Sequence, residues 1–258
     1  MMTEVEARAG ATITLKSDGR VTEVSLYSPE GVALLNALRL KQAAEFKLMY
    51  EPHWLGLRII QLPEDIVAMQ ELLWRLKPDV VVECGIAHGG SLVLHASILE
   101  LAGKGRVIGV DVEIRPHNRA ALENHALAHR IELIEGSSID PAIAAEVERR
   151  CAGAHRVIVV LDSNHSAAHV AEEIRLYKDL VTFDSYLVVM DGAQALVSDI
   201  PRGDARWAAD NPLVAVQRFL AESDEFEPDA QLERFGATCV PNGFLRRRTS
   251  SKGPVGNA

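Results

Sequence analysis

The stretch VVVECGIAHGGSLVLHASILELAGKGRVIGVD, from Val80 to Asp111, determines the predicted fold. It opens with an apolar run that ends in an acid at Glu83, and a glycine-rich turn follows. A helical run comes next, and then a second apolar run that ends in Asp111. Such a strand, turn, helix and strand form one unit of a parallel sheet, whose strands end at a common edge. The sequence therefore predicts an α/β fold with a nucleotide site at that edge.

The glycine-rich turn indicates which nucleotide binds there. Its spacing is E-x-G-x-x-x-G-G from Glu83, and not the G-x-G-x-x-G of dinucleotide-binding folds. S-adenosylmethionine suits this spacing better, because its amino acid portion needs backbone contacts and it has no pyrophosphate to hold. We expect the carboxylate of Asp111 to hold the ribose hydroxyls. The alternative is a glycine-rich turn of an α/β domain that binds no ligand.

The composition is that of an ordinary globular protein. The chain has 258 residues, of which 48% are hydrophobic, enough for one large α/β core. The formal net charge of -9 argues against nucleic acid, which requires a basic face. No apolar stretch of the sequence reaches membrane-spanning length, so we expect no membrane insertion. Three scattered cysteines suit a reducing compartment, and we expect the protein in the cytoplasm.

Strands and helices alternate from residue 80 onward, which predicts a mostly parallel sheet. The predicted strands are Val80–Cys84, Val107–Asp111, Ile131–Ile134, Val157–Asp162 and Tyr186–Asp191. The predicted helices are approximately Ser91–Leu101, Pro116–Leu127, Pro141–Arg150, Ser166–Leu180 and Pro212–Glu222, and an earlier helix begins at Pro63.

The two ends of the chain follow other patterns. Residues 11–15 and 21–27 flank a Ser-Asp-Gly turn and predict a hairpin, and residues 31–50 have helical spacing. Near the other end, residues 238–240 and 244–247 flank Pro-Asn-Gly. They predict a second hairpin, whose last strand would run antiparallel to the sheet.

We divide the chain into an N-terminal extension (1–50), one methyltransferase-type domain (51–248) and a flexible tail (249–258). The loop around Tyr50, His53 and Trp54 is expected to follow the N-terminal helix and to cover the site. Trp54 would either stack on the bound acceptor or be a buried aromatic that anchors that helix.

Two further strand ends carry acids. The run VIVVLDSNHS places Asp162 at the end of the fourth strand, and YLVVMDGAQ places Asp191 at the end of the fifth. Neighbouring strands lie about 5 Å apart, so the two carboxylates are able to converge on one Mg²⁺ ion. The alternative for each aspartate is that it caps the helix or turn that follows.

Two polar residues complete the predicted site. His165 follows Asp162 by three residues and is expected over the same edge, where it would take the proton of an attacking hydroxyl. The alternative is a helix-start histidine without a catalytic role. Ser138 is expected to line the adenine, and the turn that contains it equally suits a cap for the helix that begins at Pro141.

The sequence resembles the cephalosporin hydroxylase family, a group of S-adenosylmethionine- and Mg²⁺-dependent O-methyltransferase-like proteins that includes rhamnosyl and other sugar O-methyltransferases. The resemblance spans residues 54–247. It rests on the motifs WLGLRIIQLPEDIVAMQELLW, VVECGIAHGGSLVLHASIL, RVIGVDVEIRPHN, IELIEGSSIDP, VVLDSNHSAAHVAEEIRLY, SYLVVMDG and NGFLRR. It implies a seven-stranded Rossmann-like methyltransferase fold.

The resemblance also implies functional positions. Cofactor contacts would fall on Glu83, Gly85, Ser91 and Asp111. Metal ligands would fall on Asp162, which we also expect to contact the cofactor, and on the acidic end of the fifth strand.

The chain departs from the family pattern near the expected metal. Family members commonly carry two adjacent acids at the end of the fifth strand, where this chain has Met190-Asp191-Gly192. Where family members usually have an aspartate two residues after the position of Asp162, this chain has Asn164. A thioether is a poor ligand for Mg²⁺, so we expect a weaker metal site.

These observations predict an S-adenosylmethionine-dependent O-methyltransferase that acts on a hydroxyl of a sugar or glycosylated small molecule, with assistance from Mg²⁺. His165 and Asp162 are the predicted catalytic residues. We expect a homo-oligomer. The alternatives are an accessory protein of the same fold that supports a partner enzyme, and an NAD-linked oxidoreductase, which the turn spacing disfavours.

Overall fold

The structure is a computed structural model that describes residues 4–8, 11–17 and 19–249. Residues 250–258 of the predicted tail and Asp18 of the predicted N-terminal turn lie outside the described residues. The strands are β1 Glu4–Arg8, β2 Thr12–Ser17, β3 Arg20–Ser25, β4 His53–Trp54, β5 Leu57–Arg58, β6 Val80–Cys84, β7 Arg106–Asp111, β8 Ile131–Glu135, β9 Val157–Leu161, β10 Tyr186–Val189, β11 Phe226–Pro228 and β12 Phe244–Arg247. The α-helices are α1 Pro29–Glu45, α2 Pro63–Leu76, α3 Gly90–Leu101, α4 Pro116–Glu123, α5 Pro141–Cys151, α6 Ala167–Tyr177 and α7 Pro212–Glu222.

A seven-stranded sheet runs through the protein in the order β11-β12-β10-β9-β6-β7-β8. The strands from β10 to β8 in this order are parallel, and β12 runs antiparallel to both β10 and β11. The central strands β6 and β9 are buried along their whole length, as expected for valine-rich strands covered on both faces. The predicted fold class, a Rossmann-like α/β sheet with an antiparallel C-terminal strand, is confirmed.

Helices cover both faces of this sheet because alternate side chains of each strand point to opposite sides. In β9, Ile158 and Val160 join the core beneath α2 and α3. Val157, Val159 and Leu161 join the core beneath α5, α6 and α7. The carboxyl ends of β6, β7, β9 and β10 therefore meet at one edge, between two hydrophobic layers.

The C-terminal edge of the sheet differs from the prediction. The strand β12 lies where it was expected, but it pairs with β11 and not with residues 238–240. At 238–240 side chains take the backbone groups: Asp65 accepts from the N–H of Cys239, and the hydroxyl of Thr238 accepts from the N–H of Val240. A backbone held in this way does not form a strand ladder.

The N-terminal part contains the predicted hairpin, β2 with β3, and an additional strand, β1, that pairs with β2. The helix α1 follows and ends at Glu45, earlier than predicted, before a 3₁₀ turn at Leu48–Tyr50. Lys47 separates the two in a left-handed conformation with φ of 55°. Where a loop was expected, β4 and β5 form a short hairpin.

In the part of the chain that the structure describes, no helix combines the length and apolarity that a bilayer crossing requires.

Candidate functional site

A cleft of about 190 Å³ lies at the carboxyl edge of the sheet. On one side it is bounded by the loop after β6 and the start of α3, and on the other by the segments after β9 and β10. Five of the predicted site residues line it: Gly85, Ser91, Asp162, His165 and Asp191. Tyr50, from the loop expected to cover the site, also lines it, as do residues that the sequence did not point to, among them Arg58, Gln61 and His88.

Glycines are required in the loop after β6, residues 85–89 (the cleft loop), and at the first residue of α3, because the chain packs against itself there. A Cβ on Gly85, whose φ is +98°, would lie 2.1 Å from the backbone oxygen of Asp162. A Cβ on Gly90 would lie 2.3 Å from the backbone oxygen of Arg58. The sequence relates this glycine-rich turn to backbone contacts with the cofactor, and the structure shows that its glycines also let neighbouring segments pack closely around the cleft.

The N-terminus of α3 opens into this cleft. Gly89 caps the helix without a side-chain hydrogen bond from the described residues, so the first N–H groups of α3 are left for a ligand. Gly90 and Ser91, the first two residues of the helix, line the cleft. Unbonded N–H groups at a helix start favour a carboxylate, such as that of an amino acid.

Asp111, at the end of β7, organises the cleft loop. Its carboxylate accepts hydrogen bonds from the backbone N–H of Ile86 at 2.8 Å, of Ala87 at 3.3 Å and of Glu113 at 3.2 Å. A carboxylate offers about four acceptor sites, so one remains for a ribose hydroxyl. Asp111 does not itself line the cleft among the described residues.

Glu83 lies beneath the loop and is 1% exposed. It accepts a hydrogen bond from the hydroxyl of Ser91, and Oε2 lies 3.0 Å from Nδ1 of His95, which is fully buried. The contact between Glu83 and His95 meets the distance of an ion pair but not the geometry of a hydrogen bond, so among the described residues Oε2 and both ring nitrogens are buried without a hydrogen-bond partner. The predicted cofactor residue Glu83 therefore reaches the cleft only through Ser91. His95 was missed, although it stands four residues after Ser91 on α3, a spacing that places both on one helix face.

Asp162, His165 and Asp191 form an acid–histidine cluster at the far side of the cleft. One donor atom from each lies within 4.8 Å of the others, and Nε2 of His165 is 3.2 Å from Oδ2 of Asp191. Burial, followed by the negative charge of Asp191, raises the pKa of the Asp162 carboxyl well above its usual range. Two carboxylates held this close fit a bound cation, which would offset their repulsion.

The two departures from the family pattern have structural explanations. Met190 is 4% exposed and packs in the hydrophobic core, and the third side chain beside the two carboxylates is His165. The side chain of Asn164 accepts hydrogen bonds from the backbone N–H and the hydroxyl of Ser166, at 3.0 and 2.8 Å. Asn164 thus shapes the turn that leads into α6.

Ser138 belongs to a buried polar network and does not line the cleft. Its hydroxyl lies 3.2 Å from Nε2 of His169 and 3.4 Å from the hydroxyl of Ser163, which donates to Glu173 at 2.6 Å. Burial raises the pKa of Glu173. This network, which supports the segment after β9, was missed; its sequence signal is the i, i+4 pair His169 and Glu173 on α6.

Asp65, in the first turn of α2, supports the segment that contains Asp191, the residues that follow β10. Its side chain accepts from the hydroxyl of Thr238 at 2.5 Å and from the N–H of Cys239 at 2.8 Å. The carbonyl of Cys239 accepts in turn from the N–H of Ala193, at 3.3 Å. Burial raises the pKa of Asp65 to about 7.

Trp54 and Tyr50, the two aromatic residues of the loop expected to cover the site, have different positions. The indole N–H of Trp54 donates to the hydroxyl of Ser97 on α3, at 3.0 Å, and its ring packs against the core. Trp54 is therefore an anchor, and its hydrogen bond joins β4 to α3. Tyr50 lines the cleft.

The sequence matches the family described as Rhamnosyl O-methyltransferase/CmcI over residues 46–248. This chain belongs to that family. The resemblance identified from the sequence is thereby confirmed.

Curated members of the Rhamnosyl O-methyltransferase/CmcI family are similar over most of their length. The Rhamnosyl O-methyltransferase of Mycobacterium leprae is 31% identical over 199 residues, covering 76% of this chain and 82% of the relative. The protein of the same name from Mycobacterium tuberculosis is 32% identical over 203 residues, covering 75% and 77%.

Solved structures have the same fold. An apo structure of CmcI superimposes with a TM-score of 0.58 at 21% identity, covering 78% of each chain. A structure of CmcI with Mg and SAM gives a TM-score of 0.56 at 22% identity, again covering 78% of each chain. At this level of identity the likeness concerns the fold.

Proposed function

We propose that this protein is an S-adenosylmethionine-dependent O-methyltransferase that methylates a hydroxyl of a sugar or glycosylated small molecule. The observation that carries the proposal is the cleft itself. It places an unbonded helix N-terminus opposite two carboxylates and a histidine, within a chain about 30% identical to named rhamnosyl O-methyltransferases. One side suits the amino acid part of the cofactor and the other suits an acceptor hydroxyl.

S-adenosylmethionine, when bound, supplies an electrophilic methyl group on its sulfonium. The start of α3 would hold its carboxylate through backbone N–H groups, with Gly85 and Ser91 beside it. Asp111 would accept from the ribose with its remaining acceptor site while it keeps the loop at Ile86 and Ala87 in place. Glu83 would act on the cofactor through Ser91, and Ser138 from behind Ser163.

Asp162 and Asp191 would hold a divalent cation such as Mg²⁺, since they offer oxygen donors within 4.8 Å of each other. When bound, such a cation lowers the pKa of an acceptor hydroxyl and orients its oxygen. Because Met190 brings no carboxylate to the cluster, the site has two acids, and we expect weaker binding than with three.

His165 would take the proton from the attacking hydroxyl. Its Nε2 lies 3.2 Å from Asp191, so the ring is oriented by a carboxylate, and the side chain lines the cleft. A sugar hydroxyl is a weak acid, and a positioned imidazole is a suitable base near neutral pH. The chain's main contribution is then to hold the oxygen in line with the methyl group.

No observation in the described structure or the comparisons favours the accessory-protein alternative. A transfer assay tests the proposal directly. Purified protein, Mg²⁺, S-adenosylmethionine labelled in the methyl group and methyl α-L-rhamnopyranoside are expected to yield labelled methylated sugar. Chelation of divalent ions is expected to reduce the yield. If the protein binds NAD but not S-adenosylhomocysteine in calorimetry, the assignment is wrong.

The cellular setting completes the proposal. All three cysteines, Cys84, Cys151 and Cys239, are buried and unpaired, which agrees with a reducing cytoplasm. A homo-oligomeric state is part of the proposal as well, and sedimentation of the purified protein measures it.

A further inference from the structure

A second cavity, of about 250 Å³, adjoins the cofactor cleft. Tyr50, His165 and Asp191 line both cavities and so mark the boundary between them. Under the proposed function, on which this inference rests, the methyl group is transferred at this boundary. Whatever is attached to the reacting hydroxyl must then extend into the second cavity.

The walls of the second cavity are largely apolar. On one side α1 contributes Leu40 and Ala44. On the other side the segment after β10 contributes Val197, Ile200 and Trp207. Lys47 and Arg202, which also line it, are exposed. Asp191 is the one acid among the described lining residues, and it stands at the boundary with the cleft.

Polar contacts hold the two walls together. The ammonium group of Lys41 on α1 pairs with Asp199 at 2.5 Å. Glu45, also on α1, accepts from the backbone N–H of Arg202 at 3.1 Å. The cavity is therefore closed on one side by an attached helix, and its shape depends on α1.

The helix α1 lies before the region shared with the family. The family match begins at residue 46, whereas α1 covers Pro29–Glu45. Leu40 and Ala44 thus come from a part of the chain that the match leaves out. The cofactor cleft, by contrast, is lined from residue 50 onward.

We infer that the second cavity binds an apolar group joined to the acceptor sugar, such as an aryl or alkyl aglycone, and that α1 determines which group is accepted. Apolar walls stabilise a carbon ring or chain by removing it from water. Trp207 and Tyr50 offer aromatic surfaces for such a group. Leu40 and Ala44 are the residues of α1 that would select its size.

The test compares two probes, para-nitrophenyl α-L-rhamnopyranoside and methyl α-L-rhamnopyranoside, by calorimetry in the presence of S-adenosylhomocysteine. The aryl glycoside is expected to bind the wild-type protein at least about tenfold more tightly, because it buries a ring. Ala44→Phe, which fills the cavity, is expected to remove that advantage. Ala33→Phe is the matched control, since Ala33 is exposed on the same helix.

A second variant guards against misfolding of Ala44→Phe. Trp207→Ala enlarges the cavity and removes one aromatic wall, and it is expected to weaken aryl glycoside binding by about tenfold while S-adenosylhomocysteine affinity is unchanged. The inference is overturned if the wild-type protein binds both probes alike, or if Trp207→Ala and Ala44→Phe bind the aryl glycoside as the control does.

The same experiments distinguish a failure of the proposed function from a failure of the cavity assignment. Aryl glycoside binding that depends on Ala44 without any methyl transfer would refute the enzyme assignment and leave the cavity assignment in place. Transfer to methyl α-L-rhamnopyranoside together with equal binding of both probes would do the reverse.

Discussion

Asp65 should make the stability of this protein depend on pH, and the substitution Asp65→Asn should remove that dependence. The carboxyl is 3% exposed, and burial raises its pKa to about 7 from the 3.8 of an ordinary aspartate. Between these two values the folded protein carries a proton on Asp65 that the unfolded chain has lost. The contribution of Asp65 to the free energy of unfolding is therefore fully present below pH 3.8, and it is lost as the pH rises through 7.

The size of the effect follows from the two pKa values. One unit corresponds to about 1.4 kcal/mol, and between pH 5 and pH 8 Asp65 passes through about two units of its shift. The free energy of unfolding should thus fall by about 2 to 3 kcal/mol more in the wild-type protein than in Asp65→Asn. The asparagine retains a hydrogen bond from Cys239 through its oxygen and donates to Thr238 through its amide.

Urea denaturation of both proteins at pH 5, 6, 7 and 8 measures this difference, and the other titrating groups cancel because both proteins contain them. Asp199→Asn is the control: Asp199 is exposed, and its hydrogen bond to Lys41 lowers its pKa, so its effect lies at acid pH. A difference between wild type and Asp65→Asn that stays constant across the range would refute the reasoning.

Three further predictions concern the cleft. Asp111→Ala should weaken S-adenosylhomocysteine binding by about 1–3 kcal/mol in calorimetry, because charged hydrogen bonds to the ribose and the loop are lost; unchanged affinity would remove Asp111 from the cofactor site. Asp162→Asn should weaken Mn²⁺ binding, measured by electron paramagnetic resonance, at least tenfold, since one of two carboxylates is lost, and equal affinity would argue against the metal assignment. His165→Ala should lower turnover by about 10²–10⁴-fold with cofactor affinity retained, whereas the exposed control His117→Ala should not. A folded His165→Ala with near-full turnover would leave His165 as a helix-start residue.

The strand ends were predictable because each buried strand is a continuous apolar run that stops at an acid. Glu83, Asp111 and Asp162 follow this rule, and parallel strands bring their ends to one edge. Five of the eight predicted site residues line the cleft at this edge, whereas Glu83, Asp111 and Ser138 lie behind its lining. The division of the chain into extension, domain and tail stays a prediction.

The misses come from interactions between distant parts of the chain. The strand β11 has three residues and ends in proline, so only its pairing with β12 identifies it. Residues 238–240 have the pattern of a strand, but the side chain of Asp65, 174 residues before Cys239, accepts a hydrogen bond from the backbone N–H of Cys239. The pair Glu83 and His95 is hidden for a similar reason, because a histidine within an apolar helix gives no sign of its partner.

The close packing of Gly85 on the backbone of Asp162 ties the two halves of the cleft into one mechanical unit. The N–H of Asp162 is also bonded to the carbonyl of Cys84, the residue before that glycine, at 2.8 Å. A ligand that restricts the motion of the loop after β6 would therefore also restrict the backbone of Asp162. Binding free energies are reciprocal. If the bound methyl donor raises the affinity for the cation by some factor, the bound cation raises the affinity for the donor by the same factor. A protein loaded with one ligand would then hold the other more tightly than the empty protein does, by the same factor in either order.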